Sequence, residues 1–119
     1  MEKRELGRFG EERAARYLRW HGYRILETNY ACRSGEIDLI AQRGRYVVFV
    51  EVKLRKSADF AAAREFVTAA KQQRIRTTAA LWLSQHESEL QPRFDVIEIY
   101  APRGAEGRIT VNHIENAFE

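Results

Sequence analysis

The sequence predicts an α/β fold in which a mixed β-sheet of about five strands is flanked by two main helices. A β-branched and aromatic run, Tyr46–Val52, follows a shorter apolar strand across a turn-forming segment. Apolar residues at helical spacing occur before and after these strands. Because the early strands are hairpin-linked, the sheet is expected to be mixed rather than wholly parallel. The predicted order is α-β-β-β-α-β-β within one domain, residues 1–119.

The first predicted helix runs from about Arg4 to His21 and ends at Gly22. At about 100° per residue, Glu11 lies at the edge of the apolar stripe, whereas Glu12 points away from it. Glu11 could therefore reach inward across the sheet, or form an ordinary surface ion pair. The apolar stripe consists of Leu6, Phe9, Ala14, Tyr17 and Leu18.

The central feature is the hairpin Gly35–Lys53, with a turn at 42–45 in which Gly44 can adopt positive φ. Side chains alternate along a strand, so Glu51 and Lys53 share one face. A loop of two or four residues puts Asp38 on that face as well. A four-residue loop sets it opposite Glu51 with Cβ atoms about 5 Å apart, and a two-residue loop sets it diagonally at roughly 7–8 Å.

The remaining elements are assigned by the same rules. Segment 23–30 is predicted as the first strand, and 54–60 as a polar, basic loop at the mouth of any site. A second helix is expected from about Ala62 to Gln85, with Trp82 in the core. Segments 93–100 and 108–114 are expected as the last strands, and Asp95 is assigned a structural role.

Composition narrows the possible classes of protein. With 45% hydrophobic and 31% charged residues, the chain is typical of a soluble globular protein. It contains no apolar run near the roughly 18–20 residues of a membrane span, and its start lacks the apolar region of a signal peptide. One cysteine, Cys32, and three well-separated histidines form no disulfide or zinc pattern. A cytoplasmic protein without a membrane partner is expected.

If Glu11, Asp38, Glu51 and Lys53 converge, three carboxylates and one ammonium leave a charge of −2 in a partly buried place. At least one carboxyl pKa should then rise unless a cation binds. Oxygen ligands favour Mg²⁺ or Mn²⁺, and such a site is suited to phosphodiester hydrolysis. Alternatively, Lys53 simply forms a structural ion pair with a carboxylate.

Positive charge is concentrated around these residues. The chain carries a net charge of +3, yet residues 41–76 contain nine basic and three acidic side chains. This excess suits a polyanionic partner, although a solvated surface would look the same. The predicted nucleic-acid contacts are Arg43, Arg45, Arg55, Lys56, Lys71 and Arg74.

With these residues in place, the chain resembles the PD-(D/E)-x-K nuclease superfamily and, more closely, the YraN-type family of small bacterial proteins. In the superfamily, it is similar to archaeal Holliday-junction resolvases in its helix glutamate, strand aspartate and E-x-K. Ile37 stands where the superfamily's name has proline. The matching segments are Gly10-Glu11, Gly22-Tyr23, Gly35–Ile40, Phe49–Lys53, Lys71 and Arg93–Asp95.

The resemblance implies a restriction-endonuclease-like core. It also implies metal ligation by Glu11, Asp38, Glu51 and the Val52 carbonyl, with Lys53 as the catalytic lysine. The expected function is a Mg²⁺- or Mn²⁺-dependent endonuclease acting on DNA, branched or structured forms included. The alternatives are a non-catalytic nucleic-acid-binding module with the same fold, and a subunit whose site a protein partner completes. Cutting both strands of a duplex would need two sites and hence a homodimer.

Overall fold

A computed structural model of the chain describes residues 3–56 and 67–119. The elements follow the predicted order α-β-β-β-α-β-β, which is confirmed. The end of the predicted loop and the start of the predicted second helix, at 57–66, lie outside the described residues. The elements are α1 (Lys3–Trp20), β1 (Arg24–Cys32), β2 (Gly35–Arg43), β3 (Tyr46–Arg55), α2 (Ala69–Gln85), β4 (Gln91–Tyr100), a 3₁₀ turn (Gly104–Glu106) and β5 (Thr110–Phe118).

The five strands form one sheet in the order β1-β2-β3-β4-β5. The β1–β2, β2–β3 and β4–β5 pairs are antiparallel, whereas β3 and β4 are parallel. The sheet is therefore mixed, as predicted. The parallel pair is possible because the crossover between β3 and β4 contains α2.

Each helix covers one face of the sheet and builds its own half of the core. On the α2 face, Phe49 of β3 meets Trp82 of α2 with ring centroids 5.9 Å apart. On the α1 face, Leu18 packs with Leu39 and Val48. Alternate residues of β2 and β3 serve the two faces, which explains why Tyr46–Val52 is apolar almost throughout.

Individual residues fix the end of α1 and the start of α2. Gly22 adopts φ +86° after α1, and the Tyr23 N–H donates to the Leu18 carbonyl at 2.9 Å, as in a Schellman cap. Thr68 is extended and accepts the Lys71 N–H, so α2 begins at Ala69. The prediction of helix through 67–68 was therefore wrong, because a capping threonine interrupts the apolar pattern. No helix in the described ranges is long and apolar enough to cross a membrane.

The last strand is longer than the predicted 108–114. Near its end the β4–β5 register shifts, and Asn116 adopts φ +53°. This irregularity lets Phe118 reach the α2-face core, where its ring stacks on Phe94 at 5.1 Å. Side chains on the two faces of the sheet do not alternate strictly across this point. An alternating sequence pattern therefore could not predict that β5 continues to Phe118.

The central hairpin loop has two residues, Gly44 and Arg45, rather than four. Gly44 has φ +56°, which suits the first position of a tight hairpin turn. Pairing runs from Arg43–Tyr46 to Leu39–Val50, and one further step sets Asp38 across from Glu51. The predicted diagonal placement for a two-residue loop was wrong, because the loop residues are Gly44 and Arg45, so that Arg43 pairs with Tyr46 and Asp38 faces Glu51.

Candidate metal centre

The predicted acidic residues lie where the β2–β3 ladder ends. The last paired residues are Leu39 and Val50. Beyond them the Val52 N–H donates to Asp38 Oδ2 at 2.8 Å, in place of a strand carbonyl. The carboxylate of Asp38 is thereby fixed between the two strands by a backbone donor.

Glu51 is the buried carboxylate of the group, with 6% of its side chain exposed. Its Oε1 faces two ammonium groups. Lys71 Nζ of α2 lies 2.5 Å away, and Lys53 Nζ of β3 lies 3.5 Å away. The strand carboxylate and the second helix are therefore joined by an ion pair at the edge of the core.

Glu11 reaches the cluster from the other helix. Just before it, Gly10 packs against β3, where an added Cβ would lie 3.6 Å from Leu54, an ordinary van der Waals contact. Glu11 Oε1 accepts a hydrogen bond from Asn29 Nδ2 at 2.7 Å, and the same nitrogen donates to Glu36 Oε1 at 3.2 Å. Ligand oxygens of Glu11, Glu36 and Asp38 lie within 4.8 Å of one another. The structure thus places Asp38 between two groups: Glu11 and Glu36, which Asn29 bridges, and Glu51 with its partners Lys53 and Lys71.

The electrostatics reflect this crowding of charge. Burial, and next the charge of Glu51, raise the pKa of Asp38 to about 7 despite the Val52 N–H. Burial lowers the pKa of the Lys53 ammonium, and Glu51 opposes that effect. Burial would also lower the pKa of Lys71, but its hydrogen bond and charge interaction with Glu51 outweigh burial and raise it. The cluster holds more negative charge than its two lysines neutralise.

A cavity of about 470 Å³ opens beside these residues, between β2 and the first turns of α2. Asp38, Glu51, Lys71 and Arg74 line it. Gly35 lets α2 approach, since it has φ +154° and an added Cβ would meet Thr78 Oγ1 at 3.4 Å. The cavity therefore has a carboxylate floor and a basic wall contributed by α2.

Of the other predicted nucleic-acid contacts, two lie near the cluster. Lys56 is exposed just after β3. Arg55 is on the Lys53 face of β3, and its Nε is 3.4 Å from Oε2 of the buried Glu98. The structure does not bring Arg43 and Arg45 to the cluster, since Arg43 ends β2 and Arg45 is in the hairpin loop, at the opposite end of β2 and β3. At about 3.3 Å per residue, five positions of strand separate that loop from Glu51 by roughly 16 Å.

Sequence reasoning undervalued two residues. Glu36 shares strand parity with Asp38 and is exposed at the start of β2, and its oxygen also joins the cluster through Asn29. Lys71 was treated as a fringe or nucleic-acid contact, whereas it pairs with Glu51.

A second polar cluster is structural, as predicted for Asp95. Asp95 is fully buried and accepts from Arg93 Nε at 2.9 Å, His113 Nε2 at 2.7 Å and the Asn116 N–H at 3.0 Å. Burial raises its pKa, but these donors outweigh burial and hold the pKa below its usual value. Asp95 follows the α1-face alternation of β4 and lies opposite Val50 of β3, so it is on the other face of the sheet from Glu51. A cavity of about 710 Å³ lies beside Arg93, and neither Asp38 nor Glu51 lines it.

The donor set suits a hard divalent cation. Its charged ligands are all carboxylates, without thiolate or imidazole among the described members. The raised pKa of Asp38 and the surplus of negative charge are what a bound cation would relieve. Asp38, Glu51, Glu11 and Glu36 are the residues that would hold such an ion.

Comparison with known sequences gives one consistent result. Residues 10–99 match the model of the "Uncharacterised protein family UPF0102". A UPF0102 protein of Symbiobacterium thermophilum is 48% identical over 97% of both chains. A UPF0102 protein of Caldanaerobacter subterraneus is 45% identical over 99% of this chain and 98% of its own. A third, from Caldicellulosiruptor saccharolyticus, is 41% identical over 99% of this chain and all of its own. The chain belongs to the UPF0102 family, the YraN-type family that its motifs resemble.

Proposed function

We propose that this protein is a metal-dependent endonuclease that hydrolyses phosphodiester bonds in DNA. The observation that carries the proposal is the position of Asp38, which shares one acidic group with Glu11 and Glu36 and lines a basic-walled cavity with Glu51. Glu51 is in turn paired with Lys53. Asp38 and Glu51 are carboxylates that sit together away from water, which is costly unless a cation joins them. The resemblance to the PD-(D/E)-x-K superfamily supports the same reading.

Each side chain has a role that follows from its position. Asp38 and Glu51, fixed by the Val52 N–H and by neighbouring ammonium groups, would hold a Mg²⁺ or Mn²⁺ ion together with Glu11. When bound, such an ion supplies Lewis-acid stabilisation of negative charge on the phosphate. Lys53, whose pKa burial lowers, can orient the attacking water and accept its proton. Lys71 and Arg74 line the cavity where an anionic backbone would approach.

A cleavage assay tests the proposal. Labelled linear duplex, single-stranded and four-way-junction DNA are incubated with the protein in Mg²⁺, Mn²⁺ or EDTA. We expect cleavage of at least one substrate that requires metal and is lost in Glu51→Gln. Arg45→Ala, at the far end of the hairpin, serves as the matched control and should retain cleavage. Activity that survives in EDTA, or no cleavage of any substrate, would contradict the proposal.

A non-catalytic DNA-binding module is the second candidate. The observation that favours it is the pairing of Glu51 with both Lys53 and Lys71, which lessens the cost of burying this carboxylate without metal. Such a protein would bind DNA with an affinity that falls as salt rises, and would show no turnover. The same assay separates the two candidates when binding is measured beside cleavage.

A further inference from the structure

We propose that Lys71 is an exchangeable counter-ion, which neutralises Glu51 in the metal-free protein and is displaced when a divalent cation binds. The inference rests on the proposed metal-dependent function and describes how that same site is regulated. Its starting point is the 2.5 Å contact between Lys71 Nζ and Glu51 Oε1, which is shorter than the 3.5 Å contact from Lys53 to the same oxygen.

Lys71 competes for an oxygen that a cation would use. Glu51 is 6% exposed, so few other groups can approach its carboxylate. An ammonium and a divalent cation repel one another, and the repulsion is stronger in a buried place than in water. Both cannot remain in contact with one carboxylate oxygen without a cost, so binding of the cation should drive the ammonium away.

Lys71 is also the more easily displaced of the two lysines. It stands in the first turn of α2, and 38% of its side chain is exposed at the cavity. Its flexible stem lets the ammonium withdraw to solvent while the helix stays in place. Lys53 is 23% exposed and sits on β3, paired with Glu98 of β4 and two positions from Glu51. Its ammonium therefore remains near the carboxylates whichever ion is bound.

Two consequences follow for the site. The metal-free protein avoids the cost of an uncompensated buried carboxylate, because Lys71 supplies the opposite charge. Cation affinity is weakened in return, because the ion must first break this pair. After displacement the ammonium still faces the cavity that Arg74 lines, where it adds positive charge for an anionic backbone.

Calorimetric titration with Mn²⁺ in the absence of DNA tests the inference. Lys71→Met removes the charge and keeps the stem. We expect it to bind Mn²⁺ about tenfold more tightly than the original protein, a change in keeping with the loss of one charged hydrogen-bonded competitor. Arg74→Met, an exposed cavity residue one turn along the same helix, controls for the loss of one positive charge and should change the affinity less than about twofold. Lys71→Arg keeps a competing cation and should not tighten binding.

Thermal melts give a second readout that does not involve activity. Without metal, Lys71→Met should melt below the original protein, since Glu51 loses its nearest opposite charge. Saturating Mn²⁺ should raise its melting temperature by more than that of the original protein. If Lys71→Met does not fold without metal, Lys71→Gln, which can still donate to Glu51, replaces it in both measurements.

The outcomes separate the two proposals. Equal or weaker Mn²⁺ binding by Lys71→Met, while the original protein binds Mn²⁺, would overturn the counter-ion and leave the metal centre standing. Absence of Mn²⁺ binding in every variant would overturn the metal centre and the counter-ion with it. If Lys71→Met binds Mn²⁺ and the original protein does not, the proposed role of Lys71 as a counter-ion is strongly supported.

Discussion

The carboxylate of Asp38 accepts the Val52 N–H at 2.8 Å just beyond the last pair of the β2–β3 ladder. One aspartate thereby completes the hydrogen bonding of β3 and keeps its other oxygen for the acidic cluster. Its burial beside Glu51 raises its pKa to about 7, so its protonation should control both stability and metal binding.

The stability of the metal-free protein should fall as pH rises from about 4 to about 7. The folded state holds a proton on Asp38 up to about pH 7, whereas the unfolded chain releases it near the ordinary value of 3.8. The unfolded state therefore binds fewer protons in this window, and the free energy of unfolding decreases with pH. Urea melts in EDTA at several pH values measure this slope. Asp38→Asn, which can still accept from Val52, should flatten it; an unchanged slope would contradict the assignment.

The affinity of the protein for a divalent metal should rise with pH, whereas the stability of the metal-free protein should fall. Because a proton and a cation compete for Asp38, Mn²⁺ affinity should rise about tenfold for each pH unit below about 7 and level off above it. Calorimetric titration with Mn²⁺ from about pH 5.5 to about pH 8.5, on both sides of the pKa of Asp38, would measure this change in affinity. A Mn²⁺ affinity that is flat across the range would show that Asp38 is not a ligand.

Loss of Lys53 should reduce cleavage without unfolding the protein. Lys53→Met keeps the aliphatic stem but removes the group that we place beside the attacking water, so the rate should fall by about 10²–10⁴-fold. The measurement is single-turnover cleavage at saturating Mn²⁺. Lys56→Met, an exposed lysine three residues on, is the matched control. A similar loss in both variants would point to substrate attraction rather than chemistry.

Arg74 and Arg43 should differ in their effect on DNA affinity. Arg74 lines the cavity beside Asp38, whereas Arg43 lies at the hairpin loop against the Tyr23 ring, 5.4 Å from its centroid. Arg74→Ala should weaken binding and reduce the salt slope by about 1, while Arg43→Ala should leave the slope unchanged. Fluorescence anisotropy across a salt series tests both. An equal loss would mean that DNA extends along the whole hairpin.

Asp95→Ala should be strongly destabilising. It removes the acceptor shared by Arg93, His113 and the Asn116 N–H, and breaking a buried pair of this kind costs about 3–5 kcal/mol. Chemical denaturation gives the free energy of unfolding. Glu115→Ala removes the exposed partner of the same Arg93 and should cost about 1 kcal/mol or less. Comparable losses would contradict the structural role of Asp95.

The sequence was informative wherever a short-range rule applied. Strand parity linked Asp38, Glu51 and Lys53, and helical periodicity placed Glu11 at the edge of its stripe; both rules act within one element or one hairpin. The contacts that the sequence did not predict join residues that are distant along the chain. Nothing local indicates that Lys71 pairs with Glu51, or that Asn29 bridges Glu11 and Glu36, because those contacts depend on how the helices pack.

The predicted start of α2 and the predicted end of β5 were wrong for a related reason. The Thr68 cap and the Asn116 irregularity each interrupt a regular pattern at a single residue. Hairpin register likewise depended on whether Gln42 and Arg43 were counted as turn or strand. Such choices are decided by a few hydrogen bonds, to which a periodic apolar pattern is insensitive.

The placement of the two polar clusters on opposite faces of the sheet has an evolutionary consequence. Substitutions that neutralise Asp38 or Glu51 should leave Asp95 and its donors untouched, so a descendant chain could lose its chemistry and still fold. Such a descendant would remain abundant in the cell and keep its shape. Among homologous chains, inactivity would therefore be visible in the acidic positions long before it became visible in stability.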